Sequence, residues 1–479
     1  MSRPETVEQQ PQLRRVMGPG LLLLFVVGDI LGTGVYALTG QVAKEVGGAA
    51  WLPFLVAFLI ATITAFSYLE LVTKYPQAAG AALYAHKAFG IQFVTFLVAF
   101  VVMCSGITSA STASRFFAVS FFDAIEQIFN HVFTWEKIGV VLIALLFMAV
   151  IAAVNLRGVT ESVVLNVILT IIEITGLAIV ILVGLWAILS GADVDFGRVV
   201  AFETAEEKNA FLAVTAATSL AFFAMVGFED SVNMAEETKD PVRIFPKVLL
   251  SGLGIAGVVY VVVAVIAVAL VPVGELAAAN SPLVKVVETA APGLPFQQIL
   301  PIISMFAVSN TALINMLMAS RLIYGMARQH VLPPVLGTVA PRRRTPWVAI
   351  VFTTLIAFGL IFYVSAFASS NAISVLGGTT SLLLLAVFAT VNVAVLVLRR
   401  DVREDGSHFK TPTILPVIGF IASLYLVLPT SGRPAQQYFL AIALIIIGVV
   451  LFLVTMAINR QLGIRGPGMI DPTHLSDAP

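Results

Sequence analysis

The 52 residues from Trp347 to Leu398 contain no charged side chain, and this run constrains the fold more than any other feature of the sequence. A helix that crosses a hydrocarbon core of about 30 Å needs about 20 apolar residues, so the run is too long for one crossing. Polar residues interrupt it near its middle, at Ser365, Ser369, Ser370 and Asn371. The run therefore predicts two consecutive membrane-spanning helices.

The rest of the chain contains ten more apolar runs, each bounded by charged residues or by Gly/Pro clusters. The twelve predicted spans are 19–43, 48–73, 91–114, 138–155, 163–189, 211–234, 247–272, 296–320, 347–364, 372–398, 412–429 and 437–458. Only 11% of the 479 residues are charged, where an average soluble domain has roughly 25%. No segment alternates between apolar and polar residues as the strands of a membrane barrel do. We therefore predict an all-α membrane protein with 12 transmembrane helices.

The distribution of basic residues predicts how these spans are oriented. Cytoplasmic loops of membrane proteins carry an excess of Lys and Arg. If the N-terminus is cytoplasmic, 20 of the 27 basic residues lie on the cytoplasmic side and 7 on the other side. We therefore expect two cytoplasmic tails, 1–17 and 460–479. The chain contains no Asn-x-Ser/Thr site, which favours the plasma membrane of a bacterium, that is, its inner membrane.

Several classes of function are excluded by what the sequence lacks. The 27 Lys and Arg balance the 27 Asp and Glu, so no basic excess indicates nucleic acid binding. The single cysteine, Cys104, excludes an intrachain disulfide and a multi-cysteine metal site. The HExxH motif, the nucleotide-binding P-loop and the filter sequence of potassium channels are all absent. We expect no catalytic residues, metal or cofactor, and a solute carrier rather than an enzyme or a channel.

Two of the predicted spans carry glycines beside carboxylates at their centre. The first span contains Gly-Asp-Ile-Leu-Gly-Thr-Gly at 28–34, and the sixth contains Val-Gly-Phe-Glu-Asp at 226–230. Glycine costs a helix roughly 1 kcal/mol relative to alanine, and an Asp at the bilayer centre costs about 2.5–3.5 kcal/mol. Two interpretations follow: the helices unwind there to bind a ligand, or the glycines form a packing face beside a neutral Asp.

The spacing of the two interruptions favours the binding interpretation. Spans one and six stand five apart, and a repeat of five helices is inverted in the membrane relative to its first copy. Paired interruptions in two inverted halves indicate a transporter binding site, where freed N–H groups bind an anion and freed carbonyls bind a cation. We predict inverted repeats over 18–190 and 191–400, followed by two further helices in 401–459.

The residues at these positions resemble the amino acid–polyamine–organocation (APC) superfamily of permeases. The matching residues are Gly28 and Ile30 to Tyr36 in span one; Tyr68, Glu70, Leu71, Pro76, Gly80 and Tyr84 in and after span two; Gly227 to Glu229, Ala235 to Glu237, Lys239 to Pro241, Arg243 and Pro246 around span six; and Ser320, Arg321, Tyr324, Ala327, Arg328 and Pro333 after span eight. The resemblance implies a LeuT-like fold of five plus five inverted helices with two peripheral helices.

The resemblance also implies a site for an amino acid. The backbone at Gly32, Thr33 and Gly34 would bind the substrate carboxylate. The substrate amine would bind at Ile30 and at the sixth-span break, which contains Phe223, Ala224 and Val226. Phe223 resembles the aromatic lid of such permeases, and Glu229 is interpreted as the carboxylate of the hinge.

Glu173 lies among isoleucines a dozen residues into the fifth span, where several members of the superfamily have a lysine. An intramembrane carboxyl group often relays protons, and hydrocarbon disfavours its charged form. We predict that Glu173 accepts the coupling proton, with a permanently protonated structural group as the alternative. Glu70, Glu236 and Glu237 lie near the predicted cytoplasmic surface and are interpreted as members of salt bridges.

Asp29 lies just before the first break, in a span that contains no Lys or Arg. An uncompensated carboxylate there should bind a proton or a cation, so Asp29 is a second candidate for proton coupling and a selectivity residue for cationic amino acids. The sequence thus predicts a secondary active amino acid transporter in a lipid bilayer. A polyamine carrier and a sensor that binds without transporting remain as alternatives, and no oligomeric state is predicted.

Overall fold

The computed structural model describes residues 17–77, 80–129, 136–157, 162–191, 194–204, 208–235, 237–343, 345–367, 372–400 and 408–461. Within these ranges the chain is helical and forms no strand longer than an isolated bridge. The α-helices are α1 (Pro19–Ile30), α2 (Thr33–Val46), α3 (Trp51–Lys74), α4 (Gly80–Phe89), α5 (Gln92–Phe129), α6 (Glu136–Arg157), α7 (Ser162–Leu189), α8 (Phe196–Val200), α9 (Ala210–Ala221), α10 (Pro241–Leu270), α11 (Val273–Ala278), α12 (Pro282–Ala290), α13 (Phe296–Arg328), α14 (Trp347–Phe367), α15 (Ala372–Leu398), α16 (Ile414–Val427) and α17 (Ala435–Gln461).

The predicted multi-pass, all-α fold is confirmed. In the described part of the chain, eleven helical segments are long and apolar enough to cross a membrane. The remaining predicted span, 412–429, corresponds to α16, whose 14 residues extend only about 21 Å. The tails lie outside the described residues apart from Met17 and 460–461, as do Glu236, Ser369, Ser370 and Asn371.

α5 continues well beyond the end predicted for the third span at residue 114. It reaches Phe129, because Arg115 does not terminate the helix as a charged residue usually terminates an apolar run. The Arg115 guanidinium donates a hydrogen bond to the Ser365 hydroxyl of α14 at 3.1 Å. The predicted end at residue 114 was wrong because a charged residue can lie inside a long helix when its side chain has a polar partner on a neighbouring helix.

The broken helices lie inside the bundle, and other helices separate them from the outer surface. α1 packs against α7 and α10, α2 packs against α9, and α5 packs along α13. The outward faces of α6, α14 and α17 expose large apolar side chains such as Leu142, Leu355 and Leu453, as lipid contact requires.

Polar contacts join the helix ends on the side that carries Lys74 and Arg399. The Glu70 carboxylate accepts two hydrogen bonds from the Arg399 guanidinium, at 2.8 and 2.7 Å, and one from the backbone N–H of Thr411 at 2.9 Å. The salt bridge predicted for Glu70 is therefore present, and it connects α3 to the chain after α15. The Glu237 carbonyl accepts the N–H of Met17 at 3.0 Å, which joins the start of α1 to the loop before α10.

Arg433, between α16 and α17, attaches these two peripheral helices to the core. Its guanidinium is buried and donates to the carbonyls of Ser219, Gly378 and Leu426 and to the side chains of Ser381 and Gln437. None of these acceptors is a carboxylate. Two of the carbonyls lie in the last turns of α9 and α16, where the helix dipole is negative. Burial lowers the pKa of Arg433 to about 9, so the group stays protonated at neutral pH.

Arg433→Met should lower the stability of the folded protein by about 2–3 kcal/mol, because it keeps the apolar stem and removes every charged hydrogen bond to the five acceptors. The measurement is thermal unfolding of the purified protein in detergent. Lys285→Met is the matched control, since Lys285 is partly exposed and forms only ion pairs with Glu275 and Glu288. Equal unfolding midpoints for the two variants would contradict the role of Arg433.

Candidate functional site

The first span is broken at its centre. α1 ends at Ile30, α2 begins at Thr33, and Gly32 leaves the helical region with a ψ of −147°. The last carbonyls of α1 and the first N–H groups of α2 therefore have no partner within their own helices. Both sets open toward the interior of the bundle, since every residue from Val26 to Gly40 is buried.

The sixth span is broken as well, and its break is longer. α9 is followed by a 3-10 turn at Phe222–Met225, an extended Val226 and a second 3-10 turn at Asp230–Met234. Gly227 has a φ of +125°, a conformation that side-chain-bearing residues rarely adopt. The N–H of Gly227 donates to the Glu229 carboxylate at 2.9 Å, so this carboxylate supports the bend itself.

The two breaks contact each other through glycine. A Cβ atom on Gly227 would lie 2.7 Å from the carbonyl carbon and oxygen of Asp29. A Cβ atom on Gly34 would lie 2.4 Å from the Cα of Ala224. The sequence offered two interpretations of these glycines, unwinding of the helices and close packing. The structure shows both: the helices unwind at the glycines, and the two breaks pack closely there.

A small cavity lies between the breaks, and we call it the central cavity. Its lining residues are Asp29, Ile30, Gly32, Thr33, Gly34, Ser109, Phe223, Val226, Gly227, Asp230, Thr311 and Asn315. Seven of these were predicted site residues. Ala224 lies behind Gly34 and does not line the cavity, and neither do Glu173 and Glu229.

Three buried polar atoms of the central cavity have no hydrogen-bond partner among the residues that the structure describes. They are Oδ2 of Asp29 and the hydroxyl oxygens of Thr33 and Thr311. The three residues are only 4%, 1% and 6% exposed. Because most buried polar atoms in proteins are hydrogen-bonded, these three atoms are candidate contacts for a polar ligand or for water in the cavity.

The predicted amine ligand Ile30 has a competing partner. The Tyr260 hydroxyl of α10 donates a hydrogen bond to the Ile30 carbonyl. A carbonyl oxygen has two lone pairs, so one acceptor position stays available for a ligand. Tyr260 therefore supports the end of α1 without closing the site.

Phe223 lines the central cavity. Its ring is buried against Gly377 of α15, where a Cβ atom would lie 3.4 Å from the ring. A larger cavity, which we call the outer cavity, includes Gln41, Lys44 and Glu126 in its lining, and it shares no described lining residue with the central cavity. The role of Phe223 as a lid stays a prediction.

A third cavity adjoins the central cavity on the predicted cytoplasmic side, and we call it the inner cavity. The two share Val226, Asp230 and Asn315 as lining residues. Glu229, which the sequence favoured over its neighbour, lines only the inner cavity. Asp230 lines both, a placement that the sequence did not predict.

Glu173 lies outside the central cavity but close to the first break. Its side chain is 0% exposed, and neither carboxylate oxygen has a hydrogen-bond partner within the described part of the chain. Its backbone carbonyl accepts the Tyr36 hydroxyl of α2 at 3.1 Å. One turn earlier, Thr170 lies where a Cβ atom on Gly28 would be, which places α7 directly against α1.

The polar residues that the sequence did not single out are Ser109, Thr311 and Asn315, from α5 and α13. Each stands in an apolar helix, where a single small polar residue usually packs against a neighbouring helix. No local pattern distinguishes these three from the other buried serines and threonines of the chain.

Comparison with known proteins finds a match over most of the chain. The family model described as "Amino acid permease" matches residues 22–458. Cationic amino acid transporter 9, chloroplastic, of Arabidopsis thaliana is 28% identical over 69% of this chain, which spans 58% of that protein's length. Branched-chain amino acid permease BcaP and the methylthioribose transporter of Bacillus subtilis are each 25% identical, over 88% of this chain and 89% of their own lengths.

Proposed function

The chain belongs to the amino acid permease family, as the resemblance to the APC superfamily predicted, and we propose that it is a secondary active amino acid transporter that works by alternating access. The observation that carries the proposal is the central cavity, where two helix breaks meet and three buried polar atoms lack partners. This arrangement matches the general form of a transporter site at the bilayer midplane.

The ends of the half-helices supply complementary partners for an α-amino acid. The N-terminus of α2, at Thr33 and Gly34, offers unpaired N–H groups and the positive end of a helix dipole to the substrate carboxylate. The remaining lone pair of the Ile30 carbonyl and the carboxylates of Asp29 and Asp230 are available to the amine. A ligand bound in this way would supply hydrogen-bond partners for Asp29, Thr33 and Thr311.

Alternating access would use the residues that separate the cavities. We propose that Phe223 opens and closes the path between the outer and central cavities, and that the bend at Gly227 and Glu229 is the hinge of the sixth span. In the orientation that we propose, with both termini in the cytoplasm of a bacterium, the inner cavity leads to the cytoplasm.

Glu173 is our candidate for the coupling proton. An ionised carboxylate without any hydrogen-bond donor costs several kcal/mol in a low-dielectric interior, so Glu173 in this conformation is neutral. The titratable groups that face it are Tyr36 of α2, Tyr260 of α10 and Asp29 of α1. None of them is cationic, and loss of the proton would therefore favour a conformation that admits water or a cation.

The charges of the central cavity support a preference for cationic amino acids. Its described lining contains two carboxylates, Asp29 and Asp230, and no Lys or Arg. The α-amino group of a substrate would compensate one of these negative charges, and a second amino group would compensate the other. Relatives named cationic amino acid transporters, from Arabidopsis thaliana and Mus musculus, are consistent with this preference, while the branched-chain permease indicates that the family also includes other substrates.

The same charges favour one alternative, a carrier of polyamines or other organic cations that have no carboxylate. The assay that separates the alternatives is accumulation of labelled lysine, leucine and putrescine in proteoliposomes, with and without a pH gradient. Accumulation of lysine supports the proposal, uptake of putrescine alone supports the polyamine carrier, and binding of an amino acid without uptake identifies a sensor.

Gly34→Ala should abolish uptake, because the added Cβ would lie 2.4 Å from Ala224 and force the two breaks apart. Membrane insertion should be unaffected. Gly254→Ala in α10 is the matched control, since nothing lies within 4 Å of its added Cβ, and it should retain wild-type uptake. Normal uptake by Gly34→Ala would contradict the assignment of this contact to the substrate site.

Glu173→Gln should make uptake independent of pH between about 5 and 8, because glutamine mimics the protonated carboxyl group permanently. Wild-type uptake should fall over the same range as the pH rises and the proton is lost. Glu288→Gln, which changes an ion-paired residue of α12, is the control and should keep the wild-type pH profile. If Glu173→Gln also keeps that profile, the coupling proton binds elsewhere.

Asp29→Asn should weaken lysine binding about thirty-fold and leave leucine binding unchanged, since truncating one partner of a desolvated charge pair costs about 2–5 kcal/mol. The measurement is competition between lysine and leucine for the purified protein. Equal losses for both ligands would make Asp29 a site for the α-amine or a proton. A wild-type protein that prefers leucine over lysine would refute the cationic preference.

A further inference from the structure

The connection between α13 and α14 carries positive charge that its own sequence does not balance. Residues 328–346 include four arginines and no lysine, and no Asp or Glu occurs between Glu288 and Asp401. Arginine differs from lysine in that its planar guanidinium can bind a phosphate group through two parallel hydrogen bonds. The connection therefore has the chemistry of a phosphate-binding surface.

Two of these arginines, Arg342 and Arg343, lie in a tight turn. The Ala340 N–H donates a hydrogen bond to the Thr345 carbonyl at 2.9 Å, which closes the turn, and the Trp347 N–H donates to the same carbonyl at 2.9 Å. Both arginine side chains are exposed. The turn therefore presents two neighbouring guanidinium groups to the surroundings of the protein.

Two contacts join this connection to arginines of other elements. The Thr345 hydroxyl donates to the Leu156 carbonyl at 3.3 Å, and Leu156 precedes Arg157, the last residue of α6. A Cβ atom on Gly337 would lie 3.5 Å from the Cδ of Arg328, the last residue of α13. Arg157 and Arg328 are exposed as well. The fold thus gathers arginines from two helix ends and a turn along one connection.

The gathered charges are not compensated by the protein. Within the described residues none of these four arginines forms an ion pair, whereas Arg399, on the same predicted side, is paired with Glu70. The orientation of a membrane protein requires only that basic residues lie in its cytoplasmic loops. It does not require that they converge, and convergence of like charges is unfavourable without an anion between them.

The arginines lie at one end of a surface that faces lipid. α6 packs against α14, and both helices expose large apolar side chains such as Leu142 and Leu355. At the end that carries the arginines, Trp347 begins α14 and is exposed, as is Val335 of the preceding 3-10 turn Pro334–Gly337. Tryptophan is enriched at the depth of the lipid headgroups. The nearest anions at this depth are lipid phosphates.

We propose that Arg157, Arg328, Arg342 and Arg343, which we call the arginine surface, bind the headgroup of an anionic phospholipid. The guanidinium groups bind the phosphate, and the acyl chains lie along the outward faces of α6 and α14. A zwitterionic lipid fits less well, because the arginines repel its own cationic group. In the orientation that we propose, the arginine surface faces the cytoplasmic leaflet, where anionic lipids attract basic segments.

The test is equilibrium binding of fluorescently labelled phosphatidylglycerol to the purified full-length protein in a neutral detergent, with phosphatidylcholine of the same acyl chains in parallel. The wild type should prefer phosphatidylglycerol. The double variant Arg342→Gln/Arg343→Gln should weaken phosphatidylglycerol binding at least about tenfold, since each basic residue near an anionic lipid contributes roughly fivefold. Phosphatidylcholine binding should change much less.

The matched control is the double variant Lys239→Gln/Lys247→Gln, which removes two exposed charges on the same predicted side. Its segment also contains Glu237 and Asp240, so its charges are mixed. This variant should keep wild-type lipid binding. Both double variants should unfold at the wild-type temperature, because the side chains that they change are exposed.

A second pair of variants tests whether the arginine surface includes α6. Arg157→Gln should weaken phosphatidylglycerol binding about fivefold, although Arg157 lies on a different helix from the turn. Arg460→Gln, which changes an exposed arginine in the last turn of α17, should have no effect. Equal effects of these two variants would contradict a surface shared by several elements.

Equal affinity for the two lipids, or equal losses in the two double variants, would overturn the proposal. Displacement of the labelled lipid by inorganic phosphate at constant ionic strength would also overturn it, because it would indicate a site for free phosphate. None of these measurements involves an amino acid or its uptake, so their outcome is independent of the proposed transport function.

Discussion

The contact between Gly227 and the Asp29 carbonyl is the constraint on which the site depends. A broken helix inside a membrane must have its freed backbone groups satisfied by protein, because lipid cannot satisfy them. Here the Tyr260 hydroxyl bonds the Ile30 carbonyl, and the Glu229 carboxylate bonds the Gly227 N–H. In the described part of the chain, the side-chain oxygens of Asp29, Thr33 and Thr311 remain unpaired beside the central cavity.

The same arrangement connects Glu173 to the substrate site. α7 lies directly against the first break, where Thr170 fills the space beside Gly28. Asn166 and Asn310 share a hydrogen bond at 3.0 Å that fixes α7 against α13. The Tyr36 hydroxyl links the backbone of Glu173 to α2, the half-helix whose N-terminus faces the cavity. The backbone of Glu173 is therefore linked directly to the half-helix that would bind the substrate carboxylate in the proposed transporter.

The helices and both breaks could be predicted from the sequence, because apolar runs and glycines beside carboxylates are strong local signals. The sequence could not predict which of Glu229 and Asp230 lines the central cavity. The backbone at Gly227 is not helical, so helical periodicity does not tell which way the residues after it face. Thr311 and Asn315 were not predicted, because only the folded structure brings them opposite the first-span break, which lies about 280 residues earlier in the sequence. The extension of α5 was missed because the partner of Arg115 is on α14.

The cavities differ in how their charges are balanced, and this difference bears on how a cation could be released. The outer cavity includes Lys44 and Arg115 together with Asp123 and Glu126, so its charges are mixed. The only charged side chains in the described lining of the central cavity are two carboxylates. Electrostatic attraction is stronger there because the site is buried away from bulk water. A substrate cation bound there would therefore leave slowly while both carboxylates are ionised, and protonation of either carboxylate would weaken its attraction.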